Sequence, residues 1–192
     1  MEKNSINQPV KIVVIGGSAG SLEVLFRLLP QLRADLSVSI IIVLHRRSSG
    51  DSTLPDLLAT KTMLPLHEVE DKDTILPGHI YLAPSDYHLL IEKDQTFSLD
   101  YSEKINFSRP SLDVTFESVA DIYGIAVAGI ILSGANEDGT KGLQAIKNAG
   151  GIIIAQQPGT AQMPLMPQHA IAYLGIDLIF TVGEMVGFVN GL

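Results

Sequence analysis

The sequence predicts an α/β fold: a doubly wound, mostly parallel sheet with helices on both faces and an antiparallel hairpin segment at one edge. Three observations predict it. VSIIIVL (Val38 to Leu44) and IAVAGIILS (Ile125 to Ser133) are apolar almost throughout, as strands buried on both faces are. Stretches with apolar residues three and four apart fall between such runs, which is the alternation of a parallel sheet with crossover helices. From Leu64 to Tyr101 the texture changes: HIYLAP, YHLLIEK and TFSLDY are short runs parted by turn residues, the pattern of hairpins.

In chain order, the first strand is expected from Val10 to Ile15. Leu22, Leu25, Phe26 and Leu29 then mark one face of a helix that starts at Ser21 and fades near Pro30. The second strand ends at His45, and the polar loop RRSSGD leads to a short helix from Asp51 or Ser52 through Leu58, limited by Pro55. After the hairpins, a helix is expected over Leu112 to Ile122, with Asp113 favoured in its first turn by the helix dipole. The strand from Ile125 and the loop GANEDGT precede a helix carrying Leu143, Ile146 and Lys147 that stops at Gly150 and Gly151. GIIIA, a loop rich in Pro and Met, a short helix from Gln168 to Tyr173 and a strand from Leu178 to Thr181 complete the chain.

With 192 residues and 46% hydrophobic content, the chain is long enough for a single core. Residues 1–9 read as a disordered lead-in and 10–192 as one domain. The lack of cysteine excludes disulfides, thiolate nucleophiles and zinc–thiolate sites, and it suits a reducing compartment. A net charge of -8 without a basic stripe argues against nucleic acid as partner. No apolar stretch is long enough to span a bilayer and the N-terminus lacks a signal peptide, so the expected location is cytoplasmic, without membrane insertion.

KIVVIGGSAGS (Lys11 to Ser21) carries the chemistry. Its glycines do not fit a dinucleotide fingerprint, the second strand ends in His45 rather than an acid, and no P-loop pattern occurs. Gly16-Gly17-Ser18-Ala19-Gly20 does match G-x-S-x-G, a nucleophile elbow, in the strand–turn–helix context it requires. The amides after Ser18, those of Ala19 and Gly20, open a helix and are candidate oxyanion donors. The competing reading makes Ser18 the N-cap of that helix. In open α/β sheets the reactive side chains gather beyond the carboxyl ends of the strands. Ser18, His45 and Asp138 each follow a strand there, and they are the residue types of a serine-hydrolase triad. Each partner has a rival: His88 as the base, though its hairpin position suits a structural role, Glu137 as the acid, and for Asp138 an N-cap role; His79, after Pro77-Gly78, reads as a turn flank. Compact metal-ligand spacing is missing, so neither a metal nor a cofactor is expected.

VVIGGSAGSLEVL, LHRRSSGDSTLPDLL, LPGHIYLAPSDYHLLI, SRPSLDVTFESVA, GIILSGANEDGTKGL and MPQHAI, in this order, resemble the catalytic domain of the bacterial chemotaxis protein-glutamate methylesterase family, CheB. The resemblance implies hydrolysis of glutamate methyl esters on the cytoplasmic helices of methylated chemoreceptors, with glutamine deamidation beside it. It implies Ser18 as nucleophile, His45 as base and Asp138 as its partner. Arg109, in the SRPS block, is a substrate-binding candidate that could attract an acidic receptor segment, or a residue that pairs with a surface carboxylate. The resemblance further implies a receiver or methyltransferase partner, in trans or by fusion; no receiver domain is read in this sequence. The chain departs from the family where S-T-G-G is Ser18-Ala19-Gly20-Ser21 and where G-M-G-N-D-G is Gly134-Ala135-Asn136-Glu137-Asp138-Gly139. A loss of catalysis with the fold retained for signalling, or a switch to small esters, are the alternatives that these departures leave open.

Overall fold

A computed structural model describes residues 9–46 and 53–192. The expected lead-in up to Gln8, most of the RRSSGD loop and the proposed helix start at Asp51 or Ser52 lie outside the described residues. The first strand, β1 (Ile12–Gly17), is buried at every position and pairs in parallel with β2 (Ser39–Leu44) on one side and β7 (Val127–Ile131) on the other. Helix α1 (Ser21–Leu28) runs between β1 and β2, and a single 3₁₀ turn carries Pro30 beyond its end. Proline is accepted there because its missing N–H falls in a first turn.

The complete sheet has seven parallel strands in the order β3 (Leu66–Glu68), β4 (Ile80–Leu82), β2, β1, β7, β8 (Ile152–Gln156), β9 (Leu178–Phe180). Antiparallel pairing is confined to β5 (His88–Ile91) and β6 (Phe97–Asp100), a two-stranded sheet of its own. The stretch from Leu64 therefore holds more than hairpins. Ile80, Tyr81 and Leu82 are all buried, since β4 has strands on both edges and is an interior parallel strand. Strands of three residues are too short to display a period that distinguishes the two arrangements.

Alternate residues of β1 face two separate cores. Val13 and Ile15 join α1 and the C-terminal helix α6 (Val182–Asn190), whose Val182, Met185 and Val189 are buried. Ile12 and Val14 join α3 (Leu112–Tyr123), α4 (Thr140–Asn148) and α5 (Leu165–Leu174) through Phe116, Leu143 and Met166. The short helix α2 (Leu54–Ala59) adds Leu58 to the first core. Helices α3 and α4 approach closely because Gly142 carries no side chain: a Cβ there would lie 2.4 Å from that of Phe116. Among the described residues no helix is long and apolar enough to cross a membrane.

Candidate active site

The turn after β1 is tied down from several sides. Ser18 N–H donates to the Ser133 carbonyl (2.9 Å), the Ser21 hydroxyl donates to the Ser18 carbonyl (2.5 Å), and the Ser133 hydroxyl donates to the Ala19 carbonyl (2.7 Å). Gly20 is the N-cap of α1 at φ 82°, a left-handed conformation, and a Cβ would lie 2.6 Å from Gln162 and Ser133 side-chain atoms. Ser18 is therefore not the cap of α1. Its hydroxyl makes no hydrogen bond among the described residues, nor do the Ala19 and Gly20 amides. A free hydroxyl beside free donors at a helix N-terminus is what an elbow requires.

Register brings the imidazole alongside. Gly17 pairs with Leu44, and His45 N–H donates to the Gly17 carbonyl (3.1 Å), so Ser18 and His45 leave neighbouring strands at the same level. His45 Nε2 meets Asp138 Oδ2 at 2.7 Å, with the histidine side chain 10% exposed and the aspartate fully enclosed. Its Nδ1 faces the Asn136 side-chain nitrogen Nδ2 at 3.4 Å, and Asn136 Oδ1 accepts from Asp138 N–H (3.1 Å). An NH₂ group aimed at Nδ1 and a carboxylate at Nε2 favour the tautomer with the proton on Nε2.

Asp138 is not the N-cap of its own helix; that position belongs to Gly139. Its carboxylate instead caps α3. Oδ2 accepts from Leu112 N–H (2.7 Å); Oδ1 accepts from the Ser111 hydroxyl (2.9 Å), Asn106 NH₂ (3.0 Å) and Asp113 N–H (3.2 Å). Asp113 returns the arrangement, its Oδ1 accepting from Gly139 N–H (2.9 Å) and Gly142 N–H (2.8 Å) at the start of α4. Each helix is thus capped by a carboxylate from beside the other. Burial alone pushes Asp138 up, but the hydrogen bonds from His45, Asn106 and Leu112, with the His45 charge, outweigh it and bring the carboxyl down to about 2. The group is ionised at neutral pH.

The CheB methylesterase family model matches residues 13–189. This chain belongs to the CheB methylesterase family. A Leptospira interrogans relative, designated provisionally as a protein-glutamate methylesterase/protein-glutamine glutaminase, is 41% identical over 173 residues, 90% of either chain. The Thermotoga maritima protein-glutamate methylesterase/protein-glutamine glutaminase is 36% identical over 164 residues, 84% of this chain and 48% of the relative. This chain thus spans nearly all of the first relative and about half of the second. The crystal structure of the Thermotoga maritima CheB methylesterase catalytic domain superposes with a TM-score of 0.90 at 32% identity, covering 96% of this chain and 99% of that one. By family, the domain is a hydrolase of carboxylic esters.

The departures from the CheB pattern now have positions. Ala19 is exposed. Glu137 pairs with His169 (3.3 Å), not with His45, and His169 Nδ1 meets the Thr140 hydroxyl at 2.8 Å. Asn136 touches the imidazole. Met166 is buried against Gly134, where a Cβ would meet it at 2.5 Å, so it serves packing, while Met163 is 38% exposed. The other histidines have structural work: buried His88 accepts from Ser111 N–H (3.2 Å) and its Nε2 donates to the Glu103 carbonyl (2.9 Å), and His79 flanks the turn at Pro77. Arg109 forms no ion pair among the described residues; Nη1 donates to the Tyr101 (3.2 Å) and Ser102 (2.7 Å) carbonyls.

Asn106 and Asp113 are the site residues that sequence patterns do not single out for this role. Asn106 NH₂ also donates to Asp113 Oδ2 (3.2 Å), bridging the two carboxyls. Burial raises Asp113 to about 6, opposed by the Gly142 and Gly139 amides and reinforced by the Asp138 charge. An acid harder to ionise in the fold than in the unfolded chain makes folding take up a proton between about pH 4 and 6. Its effect is therefore stabilising on acidification and is lost as pH rises through about 6. Asp138 has the opposite sign: its stabilisation is complete above about pH 4 and lost as pH falls through about 2. For Asp113→Asn we expect the change in unfolding free energy between pH 7 and pH 4.5 to differ from wild type by about 2 kcal/mol. Urea titrations at the two pH values measure it, and equal changes in both proteins would contradict the assignment.

Proposed function

We propose that the domain hydrolyses glutamate methyl esters on the cytoplasmic helices of methylated chemoreceptors, and deamidates glutamines at such positions, with Ser18 as nucleophile, His45 as base and Asp138 as the residue that orients it. The observation that carries this reading is the hydrogen bond from His45 Nε2 to the buried, ionised Asp138 at the strand rim where Ser18 emerges. With Nε2–H donated to Asp138, the Nδ1 lone pair receives the serine proton once the Asn136 NH₂ releases its long contact (3.4 Å) with that nitrogen. The Ser18 oxygen attacks the ester carbonyl, and the Ala19 and Gly20 amides take the oxyanion. The C–O bond to methoxide then breaks as the imidazolium returns its proton, releasing methanol. Water, deprotonated by the same nitrogen, attacks the acyl-serine and frees a glutamate. Base catalysis of this kind contributes about 10²–10⁴-fold, and one oxyanion donor about 10²–10³-fold. No cofactor enters the scheme.

Incubation with receptor carrying isotopically labelled methyl esters tests the proposal. The expected result is labelled methanol in proportion to enzyme, with an acyl adduct on the peptide containing Ser18 after acid quenching. Cleavage of small esters alone would move the substrate class, and inertness toward both would remove the hydrolase reading.

A further inference from the structure

Beside His45 a cavity of about 470 Å³ opens whose wall carries Arg46, Lys104 and Arg109, with Asp86 as its acid. In a chain with net charge -8, three cations around one recess next to the imidazole run against the overall sign. Arg46 is committed to Glu68 and to the Ala83 carbonyl. Arg109 is different: it is fixed without being neutralised. Its Nη1 is held by two carbonyls, and its guanidinium lies 3.8 Å from the centre of the Tyr101 ring. Among the described residues Nε is enclosed and makes no hydrogen bond, and Nη2 also makes none and is not enclosed. An arginine held rigid on one edge, with the Nε/Nη2 edge unpartnered, is prepared for an oxyanion, because little side-chain freedom remains to be lost when one binds. Lys104, exposed on the same wall, supplies a second cation.

We propose that this cavity is a carboxylate subsite, in which Arg109 Nη2 and the Lys104 ammonium bind a free acidic side chain flanking the ester in the substrate segment. The proposal rests on the methylesterase reading and adds its selectivity: the substrate is an acidic peptide, not merely an esterified one. Two available cations opposed by Asp86 match a monoanion better than a dianion, since the acid on the wall offsets part of the attraction.

Two helical peptides, each with one glutamate methyl ester flanked on both sides by Glu or by Gln, test it. Wild type is expected to favour the Glu-flanked peptide by about 10-fold in kcat/KM at low salt, the size of one charge-assisted hydrogen bond, and less in 0.5 M salt. Arg109→Gln brings the ratio toward one. Lys104→Glu, a change at an exposed position that leaves the Arg109 contacts intact, lowers it as well, so a folding defect in the first variant does not decide the matter. A wild-type ratio near one, or a preference surviving both substitutions, overturns the subsite. The same comparison by fluorescence anisotropy, using Ser18→Ala protein and peptides with Gln in place of the ester, reads binding without catalysis. A Glu preference there with no hydrolysis by wild type would refute the esterase and keep the subsite; hydrolysis of both peptides without preference would do the reverse.

Discussion

Replacing Ser18 by alanine is expected to lower hydrolysis of a glutamyl methyl ester by about 10⁴–10⁶-fold while leaving the fold as stable as before. The loss is large because the proposed mechanism acylates this hydroxyl, so without it water would have to attack directly, helped only by the proposed oxyanion donors. The stability is retained because Ser18 Oγ has no hydrogen-bond partner among the described residues and the turn is held by backbone atoms of Ser18 and by the side chains of Ser21 and Ser133. A change within about 0.5 kcal/mol is expected for a side chain with so few obligations. Methanol release and a urea denaturation curve on the same preparation check both halves. A variant keeping a tenth of wild-type turnover would place the nucleophile elsewhere.

Asp138→Asn is expected to fail in both respects: about 10³–10⁴-fold in kcat and about 2–4 kcal/mol in stability. Five donors converge on this carboxylate, two on Oδ2 and three on Oδ1. An amide has a single oxygen, so either orientation points its NH₂ at groups that also donate. If it faces His45, the ring accommodates it only by moving its proton to Nδ1, which removes the lone pair needed for Ser18 and sets an N–H against Asn136. If it faces the other way, Asp113 N–H at the start of α3, the Ser111 hydroxyl and the Asn106 NH₂ lose their acceptor. Kinetics at saturating ester and the urea midpoint measure the two losses, and an active or undiminished Asp138→Asn protein would contradict this account.

The residues that follow strands can be read from the sequence because a parallel sheet delivers successive strand ends to one rim. VVIGG, SIIIVL and VAGII are unmistakable as buried strands, and what comes after each is confined to that rim. What surrounds the carboxylate is not readable in this way. Asn106 lies in an irregular stretch with a left-handed backbone (φ 49°), and Asp113 serves α4 rather than its own helix. Both roles exist only once α3 and α4 have docked over Gly142, and no local pattern encodes that. The helix α6 is a different kind of omission. Thr181-Val182-Gly183-Glu184 is a capping box, with Thr181 accepting from Glu184 N–H and the Glu184 carboxylate accepting from Thr181 N–H, and that signal is present in the letters. β3 and β4 are too short for their parallel pairing to show.

The cross-capping of α3 and α4 has a bearing on how relatives of this domain are read. A descendant that abandoned hydrolysis would still need an acid at position 138 to keep two helices seated, whereas nothing in the architecture would defend the hydroxyl at position 18. The aspartate therefore reports an intact scaffold, and on the proposed mechanism it is the serine whose presence would separate working copies from silent ones.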